Sequence, residues 1–148
     1  MTNPFYRVTE QAIDTSLLLT AVGAPGAGAT TLFVGTTRDE NEGRVVDRLE
    51  YEAYDAMAIQ EMQRIGDDIA KRWRVVAVAM VHRVGVVPVG EASVAVAVSA
   101  AHREDAFAAC HYGIDTLKST VPIWKKEYYR GGEHWIGPCQ AHDASLRG

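Results

Sequence analysis

The sequence predicts a protein of the α+β class, built as one domain over residues 1–148. Its patterns follow the order strand, helix, two strands, helix, two strands and a final helix. Neighbouring strands without a helix between them favour antiparallel pairs, whereas a doubly wound parallel sheet needs a helix after each strand. A chain of 148 residues is long enough for one core that buries about two-thirds of its unfolded surface. We expect residues 1–4 and 138–148 to be flexible ends.

The first two elements are a short strand over residues 5–9 and a helix that ends near Val22. Asp14 is a typical N-cap residue, because its side chain can accept a hydrogen bond from a free amide of the first turn. Three consecutive leucines, Leu17, Leu18 and Leu19, are expected to form the buried side of this helix.

A glycine-rich stretch follows, from Gly23 to Thr31. It fits the phosphate-binding pattern G-x-x-x-x-G-K-[ST] except that Ala29 stands in the lysine position. The missing lysine removes the charge on which that motif depends. Gly and Ala are also typical of an ordinary surface connection, so the pattern favours a plain loop.

Two strands are predicted next, over residues 29–37 and 45–54. The second alternates between polar and apolar residues, and its apolar face is predicted to hold Val45, Leu49, Tyr51 and Ala53. The polar segment between the strands is expected to be a hairpin loop that turns at Gly43. Arg38 begins this loop and has two open roles. It can bind an anion through two parallel hydrogen bonds, or pair with a carboxylate of residues 39–42.

A long amphipathic helix is predicted from Asp55, its expected N-cap, to Trp73. Its apolar residues recur every three or four positions and form one stripe: Ala58, Met62, Ile65, Ile69 and Trp73. Two strands follow. One covers residues 75–81 and is apolar on both faces, which is typical of the middle of a sheet. The other contains Val94, Val96 and Val98.

The final helix is predicted over residues 103–119. Its expected buried stripe consists of Phe107, Cys110, Ile114, Leu117 and Val121. Cys110 lies on that stripe, so the pattern indicates a core residue rather than a nucleophile. His102 and Arg103 stand at the helix start, where free amides and the helix dipole favour an anion. The alternative is a capping histidine beside an exposed arginine.

A basic segment surrounds Pro122. Residues 118–130 contain Lys118, Lys125, Lys126 and Arg130 against Glu127 alone, although the whole chain carries a net charge of −4. A small positive region in an acidic protein suits a small anion, whereas nucleic acid would need a wider basic field. A solvated lysine pair at a helix end is the alternative interpretation.

Other classes of protein are disfavoured by the composition. No apolar run approaches the roughly 20 residues of a membrane span, and the first residues lack the basic-then-apolar pattern of a secretion signal. The two cysteines and five histidines show neither a disulfide framework nor metal-ligand spacing. We therefore expect a cytoplasmic protein that binds no metal, membrane or nucleic acid.

Several short motifs occur in a fixed order along the chain. They are Phe33–Arg38 (FVGTTR), Leu49–Tyr54 (LEYEAY), His82–Gly85 (HRVG), Gly90–Glu91, His102–Arg103 and Leu117–Glu127. Together they closely resemble the large, catalytic subunit of molybdopterin synthase, from about Phe5 to Ile136. The glycine-rich stretch at residues 23–28 is not part of the resemblance. The tail after Ile136 lacks a basic residue that some relatives have there, so no contact is predicted from it.

The resemblance implies an α/β hammerhead fold with an added antiparallel portion. It also implies sulfur transfer in molybdenum cofactor biosynthesis, with cyclic pyranopterin monophosphate as the substrate. A small ubiquitin-like subunit would insert its Gly-Gly tail, carried as a thiocarboxylate, and deliver two sulfurs in turn. The implied assembly is a heterotetramer, in which a central homodimer of large subunits carries one small subunit at each end.

By position, the resemblance assigns the substrate contacts to nine residues: Thr36, Thr37, Arg38, His102, Arg103, Lys118, Lys125, Lys126 and Glu127. Lys118 and Lys125 are the implied catalytic pair. Lys118 is expected to act as general acid and base and Lys125 to hold an anionic group, although the two roles are exchangeable. No metal or redox cofactor is expected, because the sulfur arrives on the partner.

Helix geometry separates Arg103 from Lys118 by roughly 22 Å, since each position adds about 1.5 Å. One pterin cannot easily contact both side chains of a single protomer. We therefore expect each site to combine Lys118 of one chain with His102 and Arg103 of its dimer mate. Two other functions stay open at this stage: a non-catalytic anion- or nucleotide-binding module, and a scaffold for the small subunit.

Overall fold

The computed structural model describes residues 5–136, and the predicted flexible ends at 1–4 and 138–148 lie outside them. The described range confirms the α+β class, with three helices and nine strands. In chain order these are β1 (Phe5–Thr9), α1 (Thr15–Val22), β2 (Ala29–Thr36), β3 (Glu40–Asn41), β4 (Arg44–Ala53), α2 (Asp55–Arg72), β5 (Val75–Arg83), β6 (Gly85–Pro88), β7 (Ala92–Ala100), α3 (Arg103–Thr120), β8 (Ile123–Tyr129) and β9 (Gly132–Ile136).

The first sheet has the strand order β1-β5-β7-β2, with β1 parallel to β5 and the other pairs antiparallel. Both faces of β5 and β7 are buried, as predicted for a strand in the middle of a sheet. Val78 and Met80 face α2 and α3, whereas Ala77 and Ala79 face α1. The alternation continues to His82, which therefore faces the α3 side.

The buried stripe predicted for α2 is confirmed, whereas the one predicted for α3 is partly wrong. On α2, the residues Ala58, Met62, Ile65 and Ile69 are fully buried, as predicted, and Trp73 packs against them. On α3, Phe107 is 63% exposed, so its assignment to the stripe was wrong. The small residues Ala106, Ala109 and Gly113 complete that stripe instead. They let α3 approach the sheet closely, because they have little or no side chain.

The caps of α1 and α2 and the buried side of α1 agree with the prediction only in part. Asp14 caps α1 as predicted, and its side chain accepts a hydrogen bond from the amide of Ser16. Of the three leucines only Leu18 is buried, because the eight-residue helix α1 offers the sheet a narrow stripe. On α2 the N-cap is Tyr54, and Asp55 is the first helical residue, where its charge still complements the dipole.

The second sheet has the order β3-β4-β8-β9, and β6 pairs with β4 on the edge opposite β8, further along the strand than β3. All of its pairs are antiparallel, as the resemblance implied for an added portion. The predicted hairpin forms between β3 and β4, with Glu42 and Gly43 at φ 52° and 78°. It does not join β2 to β4, because β2 pairs with β7 in the first sheet.

A register shift in β4 explains why its predicted face is partly wrong. The pairing with β8 shifts between Val46 and Arg48, so Asp47 is an extra residue in the strand. Val45 is consequently 41% exposed, whereas Val46 is buried together with Leu49.

Within residues 5–136, no helix is both long and apolar enough to cross a bilayer.

Candidate active site

A cavity of about 760 Å³ lies where the two sheets meet beside the C-terminal end of α3. Its floor consists of Gly35, His82 and Val94, which lie side by side at the ends of three strands of the first sheet. The volume is within the range of small-molecule sites. The cavity is therefore large enough for a pterin-sized ligand.

Helix α3 supplies one wall through its last turns, which include Leu117 and Lys118. Lys118 is the basic residue of the last turn, where the negative end of the helix dipole favours a cation. Pro122 ends the helical path, because it has no amide hydrogen for a further helical bond. The chain then returns over the cavity as β8, so the end of α3 and the start of β8 face the same space.

The two adjacent lysines of strand β8, Lys125 and Lys126, lie on opposite faces of the sheet. Lys125 and Glu127 line the cavity, opposite Tyr51 and Leu49 of β4. Side chains of a strand alternate between its faces, so Lys126 lies on the other side of the sheet. There its ammonium pairs with Glu133 at 3.2 Å and lies 5.1 Å from the centre of the Trp135 ring. The structure does not bring Lys126 to the cavity.

A chain of polar side chains connects Arg38 with Glu127 across the cavity wall. The Arg38 guanidinium donates to Asn41 Oδ1 at 3.4 Å, and Asn41 Nδ2 donates to Glu127 Oε2 at 3.0 Å. Arg38 makes no salt bridge with a carboxylate of residues 5–136, so its alternative role as a hairpin ion pair is not seen. Glu127 is 2% exposed, and its Oε1 has no hydrogen-bond partner among the described residues.

The two threonines before Arg38 have different positions. Thr36 lines the cavity. Thr37 is buried and holds the loop between β6 and β7, because its amide donates to the carbonyl of Glu91 at 3.0 Å and its carbonyl accepts from the amide of Gly90 at 2.8 Å. Thr37 is not among the residues that line the cavity.

Burial and charge shift the pKa of two cavity residues. Burial lowers the pKa of Lys125, and the charges of Lys118 and Arg38 act in the same direction, while Glu127 opposes them. Burial lowers the pKa of His82 to about 4, and Lys118 and Lys125 contribute to that shift. The cavity therefore contains a lysine whose proton is easier to remove than usual and a histidine that is neutral near pH 7.

His102 and Arg103 are far from this cavity in the same chain. Both are exposed at the N-terminal end of α3, while Lys118 is in its last turn. Residues 103–118 are helical without interruption, so a separation of fifteen positions corresponds to roughly 22 Å along the axis. His102 makes no side-chain cap hydrogen bond, so the proposed capping role is not seen.

Two alternative sites from the sequence are not supported. Cys110 is buried, and burial raises the pKa of its thiol, which disfavours a nucleophile and confirms a core role. The glycine-rich loop leads from helix α1 into strand β2, the reverse of the strand–loop–helix order of a phosphate-binding loop. At Gly28 a side chain would collide with the carbonyl of Ala101, so close packing requires this glycine.

The described residues contain no group of three or more His, Cys, Asp or Glu side chains placed to hold a metal ion. Two polar residues of the cavity, His82 and Asn41, received no functional role from the sequence. His82 entered only as part of the His82–Gly85 motif and as one of the histidines without metal-ligand spacing. Its position in the cavity could have been inferred from the alternation along β5, which places it on the same face as Val78 and Met80.

Fold and cavity together define an α+β protein with a cavity lined by two lysines and an arginine. The family model described as MoaE protein matches residues 8–120. The chain belongs to this family. It is 44% identical over 141 residues to the molybdopterin synthase catalytic subunit of Dictyostelium discoideum, covering 93% of this chain and 89% of the relative. It is also 44% identical to the Bacillus subtilis protein of that name, covering 89% and 84%.

Solved structures of the same family share the fold. The molybdopterin synthase of Staphylococcus aureus superposes with a TM-score of 0.85 at 36% identity, covering 88% of this chain and 95% of that one. The molybdopterin biosynthesis MoaE protein of Burkholderia ambifaria superposes with a TM-score of 0.80 at 35% identity, covering 97% and 96%. These likenesses extend over both sheets of the described fold.

Proposed function

We propose that this chain is the catalytic subunit of a molybdopterin synthase and acts in the cytoplasm. It transfers sulfur from the C-terminal thiocarboxylate of a small ubiquitin-like partner to cyclic pyranopterin monophosphate. The observation that carries the proposal is the convergence of Lys118 and Lys125 on one cavity that also has Arg38 at its edge. The names of the relatives support the same activity. No metal or redox cofactor is part of the proposal, because the partner brings the sulfur.

The two lysines supply what replacement of oxygen by sulfur requires, a proton for the departing oxygen and positive charge near the reacting carbon. A group that both donates and accepts protons works best when its pKa is near the working pH. The lowered pKa of Lys125 therefore favours Lys125 as the group that moves the proton. Lys118, at the mouth of the cavity, then holds the anionic thiocarboxylate or phosphate.

Arg38 fits the cyclic phosphodiester, because its planar guanidinium can bind two oxygens of one anion. Asn41 holds it from one side through the hydrogen bond at 3.4 Å. Glu127 has a buried oxygen without a partner among the described residues. A carboxylate accepts hydrogen bonds, so this oxygen suits an N–H donor of the pterin ring.

The central test is formation of molybdopterin from the precursor and a thiocarboxylated partner. We expect Lys118→Ala and Lys125→Ala each to lower the rate by about 10²- to 10⁴-fold, as is usual when a proton-transfer or charge-stabilising group is lost. Lys71→Ala, an exposed lysine of α2, is the matched control and should keep the wild-type rate. A wild-type chain that binds the partner without forming molybdopterin would instead be a scaffold.

The composite site is a second part of the proposal. His102 and Arg103 lie outside the cavity of their own chain, about 22 Å from Lys118 along α3. A two-fold homodimer, which binds one small subunit at each end, would bring the first turn of α3 of one chain to the cavity of the other. Each substrate would then contact Lys118 of one protomer and Arg103 of its mate.

Mixed dimers test this arrangement. Lys118→Ala and Arg103→Ala homodimers, each inactive, are unfolded together and refolded. Random pairing gives half heterodimers with one intact site each, so activity should recover to about a quarter of wild type. Heterodimers that form but show no activity would place every contact within one chain.

A further inference from the structure

His82 is a buried residue of the cavity to which no role has been given. Its side chain lies on the floor, and the residue is 6% exposed. The Tyr51 ring packs edge-on against the imidazole, with 4.8 Å between ring centres. An imidazole in this position is held in one orientation by its neighbours.

One hydrogen bond determines which nitrogen carries the proton. His82 Nδ1 lies 2.7 Å from the carbonyl oxygen of Arg83. A carbonyl oxygen only accepts hydrogen bonds, so Nδ1 must be the N–H group. In a neutral ring Nε2 is then an acceptor with a free lone pair, and no hydrogen bond to Nε2 exists within residues 5–136.

The groups around the ring keep it neutral. Lys118 approaches from α3, Lys125 and Glu127 from β8, and Tyr51 from β4. Burial and the two ammonium groups disfavour a third positive charge, and they lower the pKa of His82 to about 4. His82 is consequently a hydrogen-bond acceptor across the whole physiological pH range.

Two ammonium groups are candidate donors for His82 Nε2. Neither Lys118 nor Lys125 makes a salt bridge in the part of the chain that the structure describes, but the charge of Glu127 acts on Lys125. Of the two lysines, Lys118 has the larger effect on the pKa of His82. Water can solvate Lys118 while the cavity is open. Once a ligand displaces that water, an ammonium without an acceptor is costly. The four-carbon side chain of Lys118 is flexible enough to turn toward the floor.

We propose that His82 is a positioning residue whose neutral Nε2 accepts a hydrogen bond from the Lys118 ammonium in the substrate-loaded cavity. The bond orients Lys118 without adding charge to it. A carboxylate in the same place would neutralise the lysine and weaken its attraction for an anion. This inference rests on the proposed function, because it assigns the orientation of a lysine that acts on the proposed substrate.

Two amide substitutions separate the roles of the two ring nitrogens. In His82→Gln the side-chain amide can place its oxygen near the position of Nε2. In His82→Asn the shorter amide reaches only the position of Nδ1. We expect kcat to fall by about tenfold or more in His82→Asn and by less than about threefold in His82→Gln, since one charged hydrogen bond is lost only in the first. Urea unfolding identifies any loss of stability in either variant.

Equal activity of the two variants would overturn the inference, while an active wild type in the same assay would leave the proposed function intact. A wild type that forms no molybdopterin would overturn both. The rate of wild type could also fall at acid pH while that of His82→Gln does not. That result would show that His82 acts as a titrating acid or base instead of a neutral acceptor.

Nitrogen NMR observes the hydrogen bond directly. The protein carries ¹⁵N-histidine, and the precursor is added without the partner, so that no turnover occurs. The resonances of His82 are those absent from His82→Gln. We expect an unprotonated Nε2 that moves upfield when the precursor binds to wild type and stays in place in Lys118→Met. The same movement in both proteins would show that Lys118 is not the donor.

Discussion

The amide of Asn41 donates a hydrogen bond of 3.0 Å to Glu127, a residue 86 positions later in the chain. Asn41 belongs to the short strand β3 and Glu127 to β8, and both line the cavity. The same Asn41 accepts from Arg38. One neutral side chain therefore orients a cation and an anion of the candidate active site.

Asn41→Asp tests this link. The new side chain keeps the shape but cannot donate to Glu127, and it adds a second negative charge beside a buried carboxylate. We expect the free energy of unfolding to fall by about 1–3 kcal/mol, the usual cost of an unsatisfied buried polar group. Glu42→Gln, in the adjacent turn, removes only an exposed pair with Arg44 and should change it by less than about 1 kcal/mol. Urea titrations compare the two, and equal effects would mean that the bond is unimportant.

The adjacent lysines of β8 should differ sharply in activity. Lys125 lines the cavity, while Lys126 lies on the opposite face beside Glu133. We expect Lys125→Ala to lower molybdopterin formation by about 10²- to 10⁴-fold. Lys126→Ala removes a largely superficial pair and should lower it by less than about tenfold. A comparable loss in both variants would mean that Lys126 contacts the substrate from another chain.

Two helix glycines should respond in opposite ways to alanine. At Gly66 a side chain would collide with the hydroxyl of Tyr6, which is buried in the core. At Gly113 the nearest atoms, on Ile69 and Val96, would be 3.4 Å away, close to ordinary contact. We expect Gly66→Ala to destabilise by about 1–3 kcal/mol, as overpacked cores do. Gly113→Ala should stabilise by up to about 1 kcal/mol through helix propensity. Thermal unfolding of both variants measures the signs.

Acid should destabilise the fold partly through His82. Its pKa falls from 6.5 to about 4 on folding, so between these values the unfolded chain binds a proton that the folded chain refuses. The stability that His82 contributes is complete above pH 6.5 and is lost as the pH falls toward 4. The full loss is about 3 kcal/mol. His82→Gln should remove this part of the pH dependence. The free energy of unfolding is measured between pH 4 and pH 7 for both proteins, and the same dependence on pH in wild type and variant would contradict the prediction.

Long periodic segments were predictable from the sequence. The stripe of α2 and the two-faced burial of β5 repeat over enough residues to show their period. Phe107 was placed wrongly because it is apolar and lies three positions before Cys110. Nothing local indicates that the small residues beside it, Ala106 and Ala109, make the contact.

The second sheet was the harder part to predict. Strands β6, β8 and β9 are short, and β8 and β9 contain charged residues. Strands β6 and β8 pair with β4 through contacts distant in sequence, and β9 pairs with β8. The extra residue Asp47 reverses the alternation of β4, which a strict two-residue period cannot anticipate. The candidate catalytic lysines were identified by resemblance, but only the strand geometry separates Lys125 from Lys126.

The two sheets are joined where β5 passes into β6 with Val84 alone between them, and β6 begins at Gly85 with φ 77°. Lys118 is carried by α3, which packs on the first sheet, and Lys125 belongs to the second. The gap between the two ammonium groups therefore depends on how the two sheets are angled to each other, and the joint at Gly85 is one of the connections that set this angle. Substitutions at Gly85, which a residue with a side chain would strain, would alter the width of substrate that the protein accepts while each sheet keeps its own packing.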